Sequence, residues 1–148
     1  MTRINYQSDF SLRVTIKSAD GTVMQPPTDH AWWLHIADDM GTCFRCGYDG
    51  CGYEDCRIDG DTVVCYVNNP GYLPGLLHVT YVDAIPDSNY ADGYNNQVAP
   101  AVADVMLWDG ATDDGATVDI DLLLQVIAPR VTAANVTSVG DLVLTFNN

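Results

Sequence analysis

Hydrophobic residues recur at every second position in several short blocks of this chain, the period of a strand whose two faces meet different surroundings. Phe10, Leu12, Val14 and Ile16 alternate with Ser11, Arg13, Thr15 and Lys17, and the turn pair Asp20-Gly21 follows. Trp32, Leu34 and Ile36 alternate with Trp33, His35 and Ala37 in a second block. Asp59-Gly60 introduces a third over residues 62–67, and Pro74-Gly75 launches a fourth marked by Leu77, Val79 and Tyr81. Residues 102–108 and 118–127 make two more, separated by Asp109-Gly110 and Asp113-Asp114-Gly115. No segment carries a helical repeat with caps. Short strands at regular spacing with turn residues between them predict a mostly β protein, an antiparallel β-sandwich of Ig-like or jelly-roll-like type.

This pattern divides the chain into a sandwich domain over residues 1–128 and a C-terminal extended arm over residues 129–148. The arm is small and polar at first and ends in the alternating block Asp141-Leu142-Val143-Leu144-Thr145-Phe146. Such a strand can close the domain's own sheet or add to the edge of another copy, which makes Leu142, Leu144 and Phe146 interface candidates. Residues 85–100 are expected to form a long loop rich in Pro, Asp, Asn and Gly, with Tyr90, Asp92 and Tyr94 near its centre. Long loops are often functional and Tyr is enriched at interface cores. The competing reading is a solvated crossover whose tyrosines cover the open end of the sandwich. Of the adjacent pair Trp32 and Trp33, one must face the core and the other is left for a surface role; Trp33 is the interface candidate.

Composition supports the strand reading. Of 20 acidic residues only Glu54 is Glu, and the Asp that makes up the rest prefers turns and caps to helix interiors. With 6 basic residues the net charge is -14, which excludes the clustered Lys and Arg that phosphate backbones require, so no nucleic acid is expected as partner. At 148 residues the chain suits one domain with a substantial core. No apolar run approaches a membrane span, and Met1 to Asp9 lack the apolar core of a signal peptide, so neither a membrane partner nor a secretion route is expected. Asp109, Asp113, Asp114, Asp119 and Asp121 invite a calcium reading but lack the EF-hand order of ligands, and turn-forming Asp explains them more simply. No nucleophile elbow, phosphate loop or metalloprotease helix is present, and no catalytic residue is assigned.

Five cysteines, Cys43, Cys46, Cys51, Cys56 and Cys65, fall in a window of 23 residues, and the rest of the chain has none. The first four are spaced C-x2-C-x4-C-x4-C, with Phe44 after the first and Gly47, Gly50 and Gly52 between. This stretch resembles a zinc knuckle in which Cys51 replaces the usual His. The resemblance implies a structural zinc held by Cys43, Cys46, Cys51 and Cys56, since zinc accepts four thiolates. It also implies single-stranded nucleic acid binding, which the charge opposes. Disulfides and free thiols remain open alternatives, and an odd count leaves at least one cysteine outside any internal pairing. Cys65 alternates with Val63 and Val67 and is expected as a core thiol. The cysteines are expected on a hairpin over residues 42–58, its arms at 42–46 and 56–58 and its tip at Gly47 to Gly52.

A second resemblance covers residues 9 to 127. Asp9-Phe10-Ser11-Leu12, Leu73-Pro74-Gly75-Leu76-Leu77-His78-Val79, Ile85-Pro86-Asp87-Ser88-Asn89-Tyr90-Ala91-Asp92-Gly93-Tyr94 and Val105-Met106-Leu107-Trp108-Asp109-Gly110 resemble, in order, the N-terminal domain of structural proteins from phages and prophages of gut Bacteroidales. The resemblance implies a virion protein made in the host cytoplasm, an adaptor, capsid-decoration or fibre-anchoring module without catalysis. Its implied partners are other virion proteins and copies of itself. The alternative is a zinc-stabilised binding or adhesion module at a cell surface.

Overall fold

The computed structural model describes residues 1–18, 20–113 and 117–123. Ten strands and no helix occur among them: β1 (Thr2–Asn5), β2 (Phe10–Lys17), β3 (Trp32–Ala37), β4 (Cys43–Tyr48), β5 (Tyr53–Glu54), β6 (Cys56–Asp59), β7 (Thr62–Val67), β8 (Gly75–Pro86), β9 (Tyr94–Trp108) and β10 (Thr117–Leu123). They build two sheets, one ordered β1-β9-β8-β3-β4-β5 and the other β10-β2-β7-β6. The two pack face to face as a mostly β sandwich, the class the alternation predicts. All neighbours are antiparallel except β1 with β9 and β10 with β2, which run parallel.

Period two explains the core directly. Leu12 and Val14 of β2, Trp32 and Leu34 of β3, Val63 of β7 and Val79 of β8 are all fully buried, while their sequence neighbours on β2, β3 and β8 face outward. Trp32 is the inward member of its pair, and its indole Nε1 donates to Pro27 O at 3.0 Å, so no polar group is stranded. Removing so large a buried ring typically costs about 3–5 kcal/mol.

Two expectations change, and one strand was not foreseen. The expected hairpin over residues 42–58 does not form, because its arms lie in different sheets. The first arm, β4, pairs with β3 and with the short β5, whereas β6 pairs with β7 through the Asp59-Gly60 turn. Asp55, at φ 57°, stands between β5 and β6 in the left-handed region and turns the chain from one sheet to the other. The expected loop over residues 85–100 is mostly a two-stranded ribbon, with Asp83 opposite Gln97, Ala84 opposite Asn96, Ile85 opposite Asn95 and Pro86 opposite Tyr94. Pairing to β8 overrides the weak strand propensity of Asn and Pro. Finally, β1 joins the edge of the larger sheet and buries Ile4 against the core.

One end of the sandwich is closed by two polar hubs. Asp38 is 3 % exposed, and its carboxylate accepts from Met40 N and Thr42 N in the β3–β4 turn and from Leu73 N ahead of β8, each at 2.9 Å. Asn69 donates to Tyr6 O and Ser8 O and accepts from Gly71 N and Tyr72 N, tying the β7–β8 connection to the β1–β2 turn. Both satisfy backbone groups that strands leave unpaired. The arm at residues 129–148, with Leu142, Leu144 and Phe146, lies outside the described residues.

Candidate functional site

The four knuckle cysteines are dispersed by the strands that carry them. Cys43 and Cys46 stand three apart on β4, so the pleat sends them to opposite faces: Cys43 is exposed and Cys46 is buried. Cys51 is exposed at the tip between β4 and β5, where its N–H and that of Gly52 donate to Asp49 Oδ1 at 2.8 Å. Cys56 is half-buried on β6 in the other sheet. No group of three or more His, Cys, Asp or Glu among the described residues is placed to hold a metal ion, so the expected four-thiolate zinc set is not assembled. A strand separates what a knuckle loop would gather, and that is the physical reason.

Instead Cys46, Cys56 and Cys65 converge inside. Cys65 is fully buried on β7, as its alternation predicts, and the Cys46 thiol donates to its Sγ at 3.2 Å across the two sheets. Cys56 is the cross-strand partner of Cys65 and donates to Gly47 O at 3.4 Å. The neighbouring Cys56 lowers the Cys46 pKa, but the bond of Cys46 with Cys65 and burial outweigh this and leave it well above the ordinary thiol value. The Cys56 thiol is pushed up by its neighbour Cys46 and then by burial. Reading β4 as a strand, with Phe44, Cys46 and Tyr48 on one face, is the signal that would have turned Cys46 inward.

The outer face of the larger sheet holds a different arrangement. His35 and His78 both point outward from it, and His78 Nε2 meets Asp39 Oδ1 at 2.6 Å. Cys43 Sγ lies 3.7 Å from His35 Nδ1. Burial raises the Cys43 thiol, and burial followed by the Arg45 charge lowers the His35 pKa. The shifts favour a neutral thiol beside a neutral imidazole, the reverse of the ion pair a cysteine nucleophile uses. Trp33 is also on this face, but the Arg45 guanidinium covers it at 3.9 Å from the ring centroid. Gly47 lies close to it, and an added Cβ there would stand 2.3 Å from Trp32 O and 2.9 Å from the Trp33 ring.

The acidic stretch near the C-terminal end of the described chain is engaged by cations. Arg3 pairs with Asp113 at 3.5 Å, Arg13 with Asp119 at 3.6 Å and Lys17 with Asp121 at 2.9 Å. Register explains two of these, since Arg13 lies opposite Asp119 and Lys17 lies two residues from Thr15, the partner of Asp121.

The ribbon of β8 and β9 and its tip carry the remaining candidates. Tyr90 and Tyr94 are exposed at 49 % and 46 %. Asp92 is a turn former: its Oδ1 accepts from Tyr94 N at 3.1 Å, while Gly93, at φ 86°, donates to Tyr90 O and accepts from Asp87 N. Behind the tip, β1 pairs with β9 only over residues 105–108. The same side of β9 over residues 94–104 has no strand partner among the described residues, and Val98 and Val102 stand 58 % and 59 % exposed on its outer face.

No family model, curated protein or solved structure matches this chain. Two of the segments quoted for the phage-protein resemblance have a clear structural task here. Pro74-Gly75 starts β8 with Gly75 at φ 148° where a Cβ would stand 2.5 Å from Asp39 Oδ2, and Tyr90-Ala91-Asp92-Gly93 turns the ribbon.

Proposed function

We propose that this protein is a phage virion structural module that works through its surfaces as an adaptor, capsid-decoration or fibre-anchoring piece. Its partners are other virion proteins and further copies of itself. The observation that carries the reading is the side of β9 over residues 94–104: a long strand flank with exposed Val98 and Val102, continuous with a ribbon tip bearing Tyr90 and Tyr94. That flank has no strand partner among the described residues, so it offers main-chain donors and acceptors to an incoming strand, and alternate side chains give the contact its selectivity. Pro100 within β9 limits where such a strand can pair, because it has no N–H to give. A rigid two-sheet core with edges to share suits assembly, and the neutral Cys43–His35 pair offers no activated nucleophile.

The test is incorporation into particles. The protein is expected to co-purify with capsid or tail proteins in fixed stoichiometry, and Val98→Lys with Val102→Lys is expected to lower incorporation at least tenfold (roughly 1.4 kcal/mol) while leaving the circular dichroism of the free protein unchanged. Both valines are more than half exposed, so the charges fit the free fold. Protein found free in host cytosol and missing from particles would overturn the reading. With a net charge of -14 on every copy, contacts between copies are expected to tighten as salt screens repulsion.

A further inference from the structure

The three converging thiols have a chemistry that the assembly reading does not use. Cys46 and Cys65 are each fully buried, belong to different sheets and bring their sulfurs to 3.2 Å. A disulfide needs about 2.05 Å, so closure requires the sulfurs to approach by only about 1.2 Å. Cys56 stands opposite Cys65 across β6 and β7, lies near enough to Cys46 to perturb its thiol, and is the only one of the three that solvent reaches.

We infer that Cys46, Cys56 and Cys65 form a thiol–disulfide relay whose end state is a Cys46–Cys65 bond stapling the two sheets, with a small-molecule disulfide such as oxidised glutathione as oxidant. The half-buried Cys56, whose raised thiol pKa makes this the slow step, gives its proton to solvent and attacks one glutathione sulfur, releasing the first glutathione, which takes up a proton. Cys46 then loses its proton and displaces the second glutathione, leaving a Cys46–Cys56 bond. Cys65 loses its proton and attacks Cys46, and Cys56 leaves and takes up a proton. In sum two protein thiols become one disulfide and one glutathione disulfide becomes two thiols, with two electrons passed. The third cysteine thus gives a buried pair a route to an oxidant that cannot reach it directly. Cys43 and Cys51 lie outside this set and enter no protein disulfide.

The experiment uses the full reduced chain, with chelator present, incubated with oxidised glutathione, quenched in acid and alkylated in denaturant. Cleavage after Arg45 and Arg57 and before Asp49, Asp55 and Asp61 places the five cysteines on separate peptides. The expected product links the Cys46 and Cys65 peptides, and its thermal midpoint falls by about 10 °C on reduction. A different dominant pair would overturn the inference, as would full alkylation of all five thiols under conditions that oxidise the urea-unfolded chain. Cys56→Ser is expected to reach the same bond roughly tenfold more slowly. An unchanged rate would remove the relay.

Discussion

The two faces of β4 hold cysteines three residues apart and give them opposite lives. Cys43 points outward beside His35 and Arg45, while Cys46 is fully buried and touches Cys65 of the other sheet. The same residue type in one short motif is thus a surface thiol and a core group. The pleat alone decides which. A ligand spacing carries its meaning only when the segment is a loop; on a strand, an odd offset divides the set between two environments.

A charge placed on each face breaks this comparison most severely. Cys46→Asp puts a carboxylate at a fully buried position with no cation beside it among the described residues, and is expected to lower stability by roughly 4 kcal/mol or more, enough to unfold a marginal domain. Cys43→Asp places the same group at the exposed side, within reach of Arg45, and is expected to change stability by less than about 0.5 kcal/mol. Urea unfolding of the two variants decides. Equal losses would mean that β4 does not present its two faces as described.

The alternation of β2, β3 and β7 was legible because each is long enough to repeat and contributes a row of buried residues on one face. The outcome for β4 to β6 was not. Gly47, Gly50 and Gly52 give that stretch the composition of a loop, yet Gly47 is there because Trp32 O and the Trp33 ring leave no room for a Cβ. The glycine marks close packing within a sheet rather than a tight metal loop. Likewise Asn95, Asn96 and Pro100 read as loop residues, but the partner strand β8 holds them extended. As for β1, four residues with one buried side chain cannot show a period, and its place depends on a partner about a hundred residues away. In the candidate site, the inward position of Cys65 was legible from Val63 and Val67. Its contact with Cys46 was not, because contact between sheets leaves no spacing signature in either strand.

The polar closure at the end of β3 sharpens the contrast from the inner side, with a smaller effect. Burial alone would raise the Asp38 pKa, but hydrogen bonds from the N–H groups of Leu73, Thr42 and Met40 outweigh it and leave the carboxyl below its ordinary value. Asp38→Ala strands those donors and is expected to cost about 2–3 kcal/mol. Because the folded value is the lower one, the carboxylate's contribution is complete above the unfolded value, near 3.9, and is lost as pH falls through the folded value. The stability gap between the natural protein and Asp38→Ala should therefore be constant at neutral pH and shrink in acid below about pH 4. A gap that widened on acidification would contradict the bonding described.

The smallest effect belongs to the outer face, where Arg45 lies over Trp33 and near both Cys43 and His35. Removing it in Arg45→Ala takes away a partly exposed cation–π contact, expected to cost about 0.5–1 kcal/mol, and uncovers one side of the indole, so tryptophan emission should shift to the red. His35 offers a second, local readout. Burial is the larger cause of its lowered pKa and the Arg45 charge the smaller, so the variant should titrate at a higher pH than the natural protein yet still below an exposed histidine. An NMR titration that left His35 unmoved would show that Arg45 does not stand where Trp33 and His35 both sense it. The outer face of β4 would then lack the cover that distinguishes Trp33 from the freely exposed Val98 and Val102.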